Sequence, residues 1–193
     1  MIRFLPAAAR TAVPWKNGGG VTREIAVSPE GAGLDDFRWR VSLAEVGADG
    51  PFSAFPGVDR NLMVVEGAGL ELTVGGERGL VDSRYVPGEF RGDLPTEGRL
   101  LDGPVVNLNV MWRRGDGRTA PTVAVVCGRL PLLADALVVA LDGPAEVAGL
   151  TLGPYDAALL TGEERVLHAR GRCAVIGLGA AAHRKLTSGD HRP

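Results

Sequence analysis

The sequence predicts an all-β protein made of short strands. Its 193 residues include 28 glycines and 13 prolines, which recur at short intervals along the whole chain. Few windows are therefore free of these residues for the about three turns of a typical helix. Several apolar runs between them alternate with polar residues, as strands that bury one face do. A helix is expected only near residues 130–137.

The composition fits one domain of ordinary size, or two small domains that share a core. Hydrophobic residues make up 45% of the chain and charged residues 23%, which favours a folded core over disorder. A formal net charge of −2 gives no electrostatic reason to expect binding to nucleic acid or to an anionic membrane. No apolar run approaches the roughly 20 residues of a membrane-spanning helix, and no secretion signal opens the chain. We expect a cytoplasmic protein without a membrane or nucleic-acid partner.

The first portion of the chain, residues 1–120, carries the clearest strand patterns. Its longest alternation places Val41 on one face of a strand and Arg40 and Ser42 on the other. Loops are expected where proline and glycine cluster, at residues 50–60 and 86–93. Strands are expected at residues 2–5, 21–27, 37–46, 61–66, 70–74 and 105–112.

The second portion, residues 121–182, has strands that are almost purely aliphatic. Such runs fit a closed core without a ligand, so we place the binding site in the first portion. Residues 183–193 are polar, and we expect them to form a flexible tail. Exposed strand edges of two copies of the chain can pair, so a homodimer is a candidate assembly. Strands are expected at residues 123–127, 132–141, 145–152, 157–160, 166–169 and 173–178.

A glycine-rich segment at residues 14–25, PWKNGGGVTREI, concentrates hydrogen-bond donors. Three consecutive glycines allow the backbone to expose several N–H groups to one small acceptor. Lys16, Asn17 and Arg23 add side-chain donors within a few residues. The segment is either a plain glycine-rich turn between two strands or the rim of a binding site for a small anion.

Polar residues on two strands form the second candidate feature. Arg40 and Ser42 share one strand face, and Asn107 and Asn109 share a face of another strand with Met111. Asparagine is depleted in strands, so two of them at a spacing of two residues call for an explanation. Either they face solvent, or they line a small polar pocket that recognises a carboxylate or an amide.

The histidines and cysteines argue against a metal centre. The three histidines, His168, His183 and His191, include no His-x-His pair and leave the first portion without any. A three-histidine metal site in that portion is therefore excluded. Cys127 and Cys173 lie in apolar contexts, and we expect both to be buried free thiols.

Catalytic patterns are equally sparse. The glycine triplet lacks the Gly-Lys-Ser/Thr ending of a phosphate-binding loop, and no nucleophile elbow is present. Glu45 or Asp59 is a candidate general base. The alternative role for each is an ion pair with a nearby arginine.

Five motifs together resemble the HutD/Ves family of cupin-like proteins. They follow the order of the family and span most of residues 1–115. The motifs are PWKNGGGVTREI (14–25), WRVSLAEV (39–46), GPFSAFPGVDR (50–60), VVEGAGLELTVGG (64–76) and VVNLNVM (105–111).

The resemblance implies a double-stranded β-helix with two cupin-like barrels in one chain, a bicupin. It also implies a link to histidine utilisation in bacteria, where such proteins are thought to act as modulators that bind small pathway acids such as formylglutamate or urocanate. Established catalysis is not a feature of the family. It looks like a cupin family without metal-binding histidines, which agrees with the histidine count and implies no cofactor.

Our leading hypothesis is therefore a non-catalytic protein that senses or buffers a small organic acid of histidine breakdown. A metal-independent isomerase or hydrolase that uses Glu45 or Asp59 is the alternative, and a protein-interaction module is a third option. The motif positions expected to face the ligand are Lys16, Asn17, Gly18, Gly19, Arg23, Arg40, Ser42, Ser53, Phe55, Asn107, Asn109 and Met111.

Overall fold

A computed structural model describes residues 1–115, 117, 119–132 and 135–179. Within this part the chain is built from strands, with one short 3-10 helix at Ala7–Ala9, which confirms the all-β prediction. None of its helices is long and apolar enough to cross a lipid bilayer. The expected tail at residues 183–193 lies outside the described residues.

The strands are short and follow one another closely. In chain order they are β1 (Ile2–Leu5), β2 (Ala12–Pro14), β3 (Gly20–Ser28), β4 (Trp39–Val46), β5 (Gly50–Phe52), β6 (Val58–Glu66), β7 (Leu70–Val74), β8 (Glu77–Val81), β9 (Gly88–Arg91), β10 (Thr96–Leu100), β11 (Val105–Arg113), β12 (Thr122–Leu132), β13 (Ala136–Ala140), β14 (Ala145–Val147), β15 (Leu150–Leu152), β16 (Ala157–Leu160) and β17 (Arg165–Gly177).

These strands form three antiparallel sheets. The central sheet has the order β2-β3-β4-β11-β6-β9, and the outer sheet has the order β5-β10-β7-β8. The C-terminal sheet has the order β1-β16-β13-β17-β14-β15, with β12 paired to β17. Strand β1 therefore joins the C-terminal sheet, where Ile2 lies opposite Leu160, although it opens the first portion of the chain.

The central sheet buries apolar residues on both faces because it packs against a second sheet on each side. On one face Leu62 contacts a cluster that includes Leu70 of the outer sheet. On the other face Met63 belongs to a cluster that includes Leu137 of the C-terminal sheet. Successive strand residues point to opposite faces, so β6 serves both cores. We call the space between the central and outer sheets the N-terminal interior.

The C-terminal sheet also encloses an aliphatic cluster of its own, with Val138, Leu152 and Leu167 fully buried. Apart from Cys173, the buried members of this cluster are aliphatic. The division of the chain at residue 120 stays a prediction.

Several local predictions are wrong. The helix expected at residues 130–137 is absent from the described part of that segment, where Leu132 ends β12 and Ala136 begins β13. The valines that follow in β13 are β-branched and favour strand over helix. The loops expected at residues 50–60 and 86–93 contain β5 and β9.

Cys127 is exposed, although the sequence predicted a buried thiol. It lies where the register of β12 against β17 shifts, between Val126 and Gly128. A bulge of this kind redirects a side chain from one face of a sheet. Cys173 is buried as predicted, and both cysteines are free thiols. Burial raises the pKa of the Cys173 thiol to about 11.

Candidate functional site

The two asparagines of β11 face the N-terminal interior. Leu108 and Val110, which alternate with them, pack in the cluster against the C-terminal sheet. Asn107 and Asn109 therefore point the other way, and only 1% and 7% of their surface is exposed. Met111 continues the same face and is also buried. The burial of both residues rules out one of the two interpretations drawn from the sequence, namely that these asparagines face solvent.

Arg60 is the central charged residue of this interior. It lies on β6 opposite Met111 and is 5% exposed. Its guanidinium carbon lies 5.4 Å from the ring centroid of Phe52, 5.7 Å from that of Phe55 and 5.1 Å from that of Phe90. Such cation–π contacts offset part of the cost of burying the charge.

The hydrogen bonds of Arg60 are few and long. Its Nε and Nη2 both donate to Asn109 Oδ1 at 3.4 Å, and its Nη1 donates to the Ser53 carbonyl at 3.5 Å. Normal N–H···O bonds are about 2.7–3.2 Å long, so the guanidinium keeps unused donor capacity. Burial lowers the pKa of Arg60 to about 10. The group therefore carries its positive charge at neutral pH.

Asn107 is the second unsatisfied group. Its amide nitrogen and its amide oxygen are both buried, and neither has a hydrogen-bond partner among the described residues. Its neighbours in the sheet are Ala44 and Val64, which offer no polar side chain. A buried polar side chain of a native protein normally has a partner. The amide is thus available to a ligand group that both donates and accepts.

Arg40 and Ser42 of β4 share the same interior face. Arg40 Nε donates to Glu24 Oε2 of β3 at 2.7 Å, so this guanidinium has a carboxylate partner. Ser42 is 1% exposed and lies opposite Asn109. Arg60, in contrast, forms no ion pair with a described carboxylate, and burial is the cause of its shifted pKa.

The glycine-rich segment folds into a self-contained turn between β2 and β3. Gly18 N donates to the Trp15 carbonyl at 3.0 Å, and Gly19 N donates to Asn17 Oδ1 at 3.1 Å. The turn itself therefore uses these two N–H groups. Lys16 and Asn17 are exposed.

Trp15 connects this turn to the interior. Its indole nitrogen donates to Thr22 Oγ1 at 2.8 Å, and its ring meets Phe52 edge to face at 5.7 Å. Gly20 is required here because a Cβ would come within 2.5 Å of the Glu45 carbonyl. The turn therefore closes one end of the N-terminal interior through the Trp15 side chain.

The structure brings part of the predicted set together. Arg40, Ser42, Asn107, Asn109 and Met111 line the interior, and the Phe55 ring and the Ser53 carbonyl reach it through Arg60. Ser53 as a residue is exposed. Lys16, Asn17, Gly18 and Gly19 stay in the turn.

Arg23 lies outside this set. It is opposite Leu43, on the face of the central sheet that looks away from the interior, and it forms an ion pair with Glu45. Asp59 pairs with Arg114. Both candidate general bases therefore act as ion-pair partners of arginines other than Arg60, and Glu45 is exposed.

The sequence interpretation missed Arg60, Phe52 and Phe90. A signal for Arg60 was present: it is in phase with the apolar residues Leu62 and Val64 of the same strand. An arginine at such a position must be buried with them. The contribution of Phe90 depends on the pairing of β9 with β6, which no local pattern indicates.

Comparison with known proteins supplies the family. The HutD family model matches residues 7–176, which is most of the chain. The chain belongs to the HutD family. A relative in Pseudomonas putida, an uncharacterized protein in the hutC 3′ region, is 31% identical over 92% of this chain and 97% of its own. Protein Ves of Cronobacter sakazakii is 36% identical over 57% of this chain and 60% of its own.

Solved structures agree with this assignment. HutD from Pseudomonas fluorescens SBW25, in a formate condition, is 33% identical, covers 93% of this chain and 98% of its own, and has a TM-score of 0.83. A cupin 2 conserved barrel domain protein from Leptotrichia buccalis is 14% identical and covers 85% of this chain and 90% of its own. Its TM-score of 0.55 shows a shared fold alone, which makes the present fold cupin-like.

Proposed function

We propose that this HutD-family protein binds a small organic acid in the N-terminal interior without transforming it, and that Arg60 is the anchor. The observation that carries the proposal is the buried Arg60 guanidinium without a carboxylate partner in the described part. A buried charge is costly unless it is paired. A carboxylate ligand supplies that partner and fits the planar guanidinium through two parallel hydrogen bonds.

The surroundings define the ligand class. Because Arg40 is paired with Glu24, Arg60 is the one unpaired charge among the described residues of the interior, which favours one carboxylate group. Asn107 lies two residues beyond Asn109, which is roughly 6.6 Å along a strand. Its free donor and acceptor match an amide or an imidazole at that distance. Asn109 Oδ1 accepts a hydrogen bond from Arg60 Nε and so holds the guanidinium in its orientation.

The family resemblance connects this ligand class to histidine utilisation, and the Pseudomonas putida relative lies in the hutC 3′ region. Urocanate fits the arrangement with its one carboxylate and its imidazole. Formylglutamate offers a carboxylate and an amide, but its second carboxylate finds no second unpaired cation among the described residues of this interior, so we expect it to bind more weakly. The protein would then modulate histidine utilisation by sensing or buffering such an acid. The separate aliphatic cluster of the C-terminal sheet supports a bicupin, in which the second barrel carries no ligand.

The test is calorimetric titration with urocanate, formylglutamate, glutamate and formate, combined with thermal unfolding. A ligand at one hundred times its Kd raises the free energy of unfolding by about 2.7 kcal/mol. We expect saturable binding of at least one acid, no product by NMR after long incubation, and loss of binding in Arg60→Met. Arg99→Met, on the exposed side of β10, is the matched control and should bind as the wild type does.

Two outcomes contradict the proposal. If none of the four acids binds at millimolar concentration, this ligand class is wrong. If an acid binds equally well to Arg60→Met, the anchor lies elsewhere. Turnover of a bound acid would favour the metal-independent enzyme instead.

A further inference from the structure

A cavity lies outside the N-terminal interior, between the central sheet and the C-terminal sheet. Its volume is about 590 Å³, within the range of about 300–1,000 Å³ that is typical of small-molecule pockets. Arg60, Asn107 and Asn109 do not line it. The cavity is thus separate from the site of the proposed function, and we call it the inter-sheet cleft.

Two tryptophans form an aromatic wall of the inter-sheet cleft. Trp39 on β4 and Trp112 on β11 lie directly opposite each other in the central sheet and face the C-terminal sheet. Leu159 and Leu178 line the cleft from the other side. A flat aromatic ring between these walls buries both of its faces and gains stacking contacts with indole.

The charged lining of the cleft is dominated by arginine. Two of these arginines have carboxylate partners: Arg3 pairs with Glu30, and Arg114 pairs with Asp59 and Asp93. The charged residues that line the described part of the cleft are Arg3, Arg38, Arg113, Arg114, Glu30, Asp59 and Asp135. Four guanidinium groups against three carboxylates give this lining a positive balance.

Two of these arginines lack a described carboxylate partner. Arg113 is held by backbone: its Nε donates to the Phe37 carbonyl at 2.9 Å, and its guanidinium carbon stacks 5.1 Å from the Phe37 ring centroid. Arg38 Nη2 donates to the Ser28 hydroxyl at 2.7 Å. Ser28 is neutral and itself lines the cleft, so Arg38 retains its charge and most of its donors for an anion.

We propose that the inter-sheet cleft is a second binding site, which takes a planar aromatic carboxylate. The ring packs against Trp39 and Trp112, and the carboxylate pairs with Arg38. Ser28 holds the guanidinium in place for that contact. This inference does not depend on the proposed function, because the two sites share none of these residues.

Benzoate is the probe, and the Arg60→Met protein is the background, since it lacks the cation of the first site. We expect saturable binding of benzoate by calorimetry, together with a change in tryptophan fluorescence that persists in Trp15→Phe. Two of the three tryptophans of the chain line the cleft, so that signal reports on it. Benzamide, which lacks the charge, and cyclohexanecarboxylate, which lacks the flat ring, should each bind at least tenfold more weakly.

Variants of the cleft locate the probe. Arg38→Gln and Trp39→Met should each weaken benzoate binding at least tenfold, whereas Arg99→Gln should leave it unchanged. If Arg38→Gln fails to fold, Arg38→Lys keeps the charge, loses the planar fork and should weaken binding several-fold. The proposal is overturned if benzoate does not bind at 5 mM, if benzamide binds equally well, or if the Arg38 variants bind as the background does.

Discussion

At the scale of single residues, Arg60 poses the main energetic question of the molecule. A buried guanidinium that lacks a carboxylate destabilises the ligand-free fold, and its three aromatic contacts offset that cost only in part. Arg60 is therefore understandable as a residue retained for binding. A residue retained for binding can be replaced by a large apolar side chain without loss of stability, whereas a residue retained for stability cannot.

Arg60→Met tests this distinction. Methionine keeps much of the apolar stem and removes the buried charge, so the free energy of unfolding should stay equal or rise by up to about 2 kcal/mol. Urea denaturation measures it, with Arg60→Ala as the contrast, which should lose about 2 kcal/mol or more to a cavity. A loss of more than about 1 kcal/mol in Arg60→Met would make Arg60 a structural residue instead.

The pH dependence of ligand binding follows from the same residue. The pKa of Arg60 is lowered to about 10, so its charge is constant from pH 6 to pH 9. A carboxylate ligand is fully ionised over that range. We expect its Kd to be flat from pH 6 to pH 9 by calorimetry and to rise above pH 10. A tenfold change between pH 6 and pH 8 would indicate a titrating group other than Arg60.

Asp93 gives a second pH prediction, on stability. Hydrogen bonds from Arg91 and then from Arg114 lower the pKa of Asp93 to about 2. Because this pKa lies below the ordinary value of 3.8, the stabilisation is complete above pH 3.8 and is lost as the pH falls through 2. Asp93→Asn should therefore be less stable than the wild type at pH 6.

The difference between Asp93→Asn and the wild type should shrink as the pH falls from 3.8 to 2. Thermal unfolding at several pH values measures it, and Glu97→Gln on exposed β10 is the control. A difference that stays constant down to pH 2 would show that the amide acts through packing instead of charge.

At the scale of elements, β10 shapes the N-terminal interior from the outer sheet. A Cβ at Gly98 would come within 2.4 Å of Phe52 Cε2, and Phe52 is one of the rings around Arg60. Gly98→Ala should therefore push the Phe52 ring, lower the free energy of unfolding by about 1–3 kcal/mol and weaken ligand binding.

Gly79 of β8, which pairs with the other edge of β7, supplies a matched control for Gly98. A Cβ there meets no atom within 4 Å, so Gly79→Ala should change stability by no more than about 0.5 kcal/mol. Urea denaturation compares the two variants. Equal effects would mean that the Gly98 contact with Phe52 is relieved by a small shift of the ring.

The elements also show which features the sequence encodes locally. Alternation along β4 and β11 predicted correctly that Arg40 and Ser42 share one face and that Asn107 and Asn109 share another, because side-chain direction follows from the strand period alone. The meeting of those faces with Arg60 depends on the register between β6 and β11, which is a long-range property. Long-range pairing with β16 likewise places β1 in the C-terminal sheet, apart from the strands that follow it in the sequence.

Short strands were the hardest elements to predict. Strands β8 and β10 consist mostly of glycine and charged or polar residues, and they form because β7 offers them hydrogen-bonding partners on both edges. The helix expected at residues 130–137 failed for a related reason. Each side of that segment pairs with β17, and these ladders outweigh a weak local preference.

At the scale of the whole molecule, the central and C-terminal sheets share one core, so they should unfold together. Residues from both sheets, among them Met63, Leu137 and Ile176, occupy a single buried cluster. Separating the sheets would expose this cluster, at about 25 cal/mol for each Å² of apolar surface. We expect one cooperative transition in urea, with coincident curves by circular dichroism and tryptophan fluorescence.

A polar contact strengthens the same interface. The Tyr155 hydroxyl, from the turn before β16, donates to Glu66 Oε1 at the end of β6. Burial, and then the hydrogen bond to Glu66, raises the pKa of Tyr155, so the hydroxyl keeps its proton at neutral pH. Nearby, the Arg172 guanidinium stacks on the Tyr85 ring at 4.9 Å. The two halves of the chain are thus joined by directional contacts as well as by apolar burial.

Tyr155→Phe should lower the free energy of unfolding by about 0.5–1.5 kcal/mol, since it removes a hydrogen bond to a charged acceptor that solvent partly screens. Glu66→Gln, combined with it in a double-mutant cycle, should give a coupling energy of about 0.5–3 kcal/mol. Urea denaturation measures both, and an unchanged m-value keeps the comparison valid. Additive effects would show that Tyr155 stabilises the fold through its ring, and the link between the sheets would then be apolar burial alone.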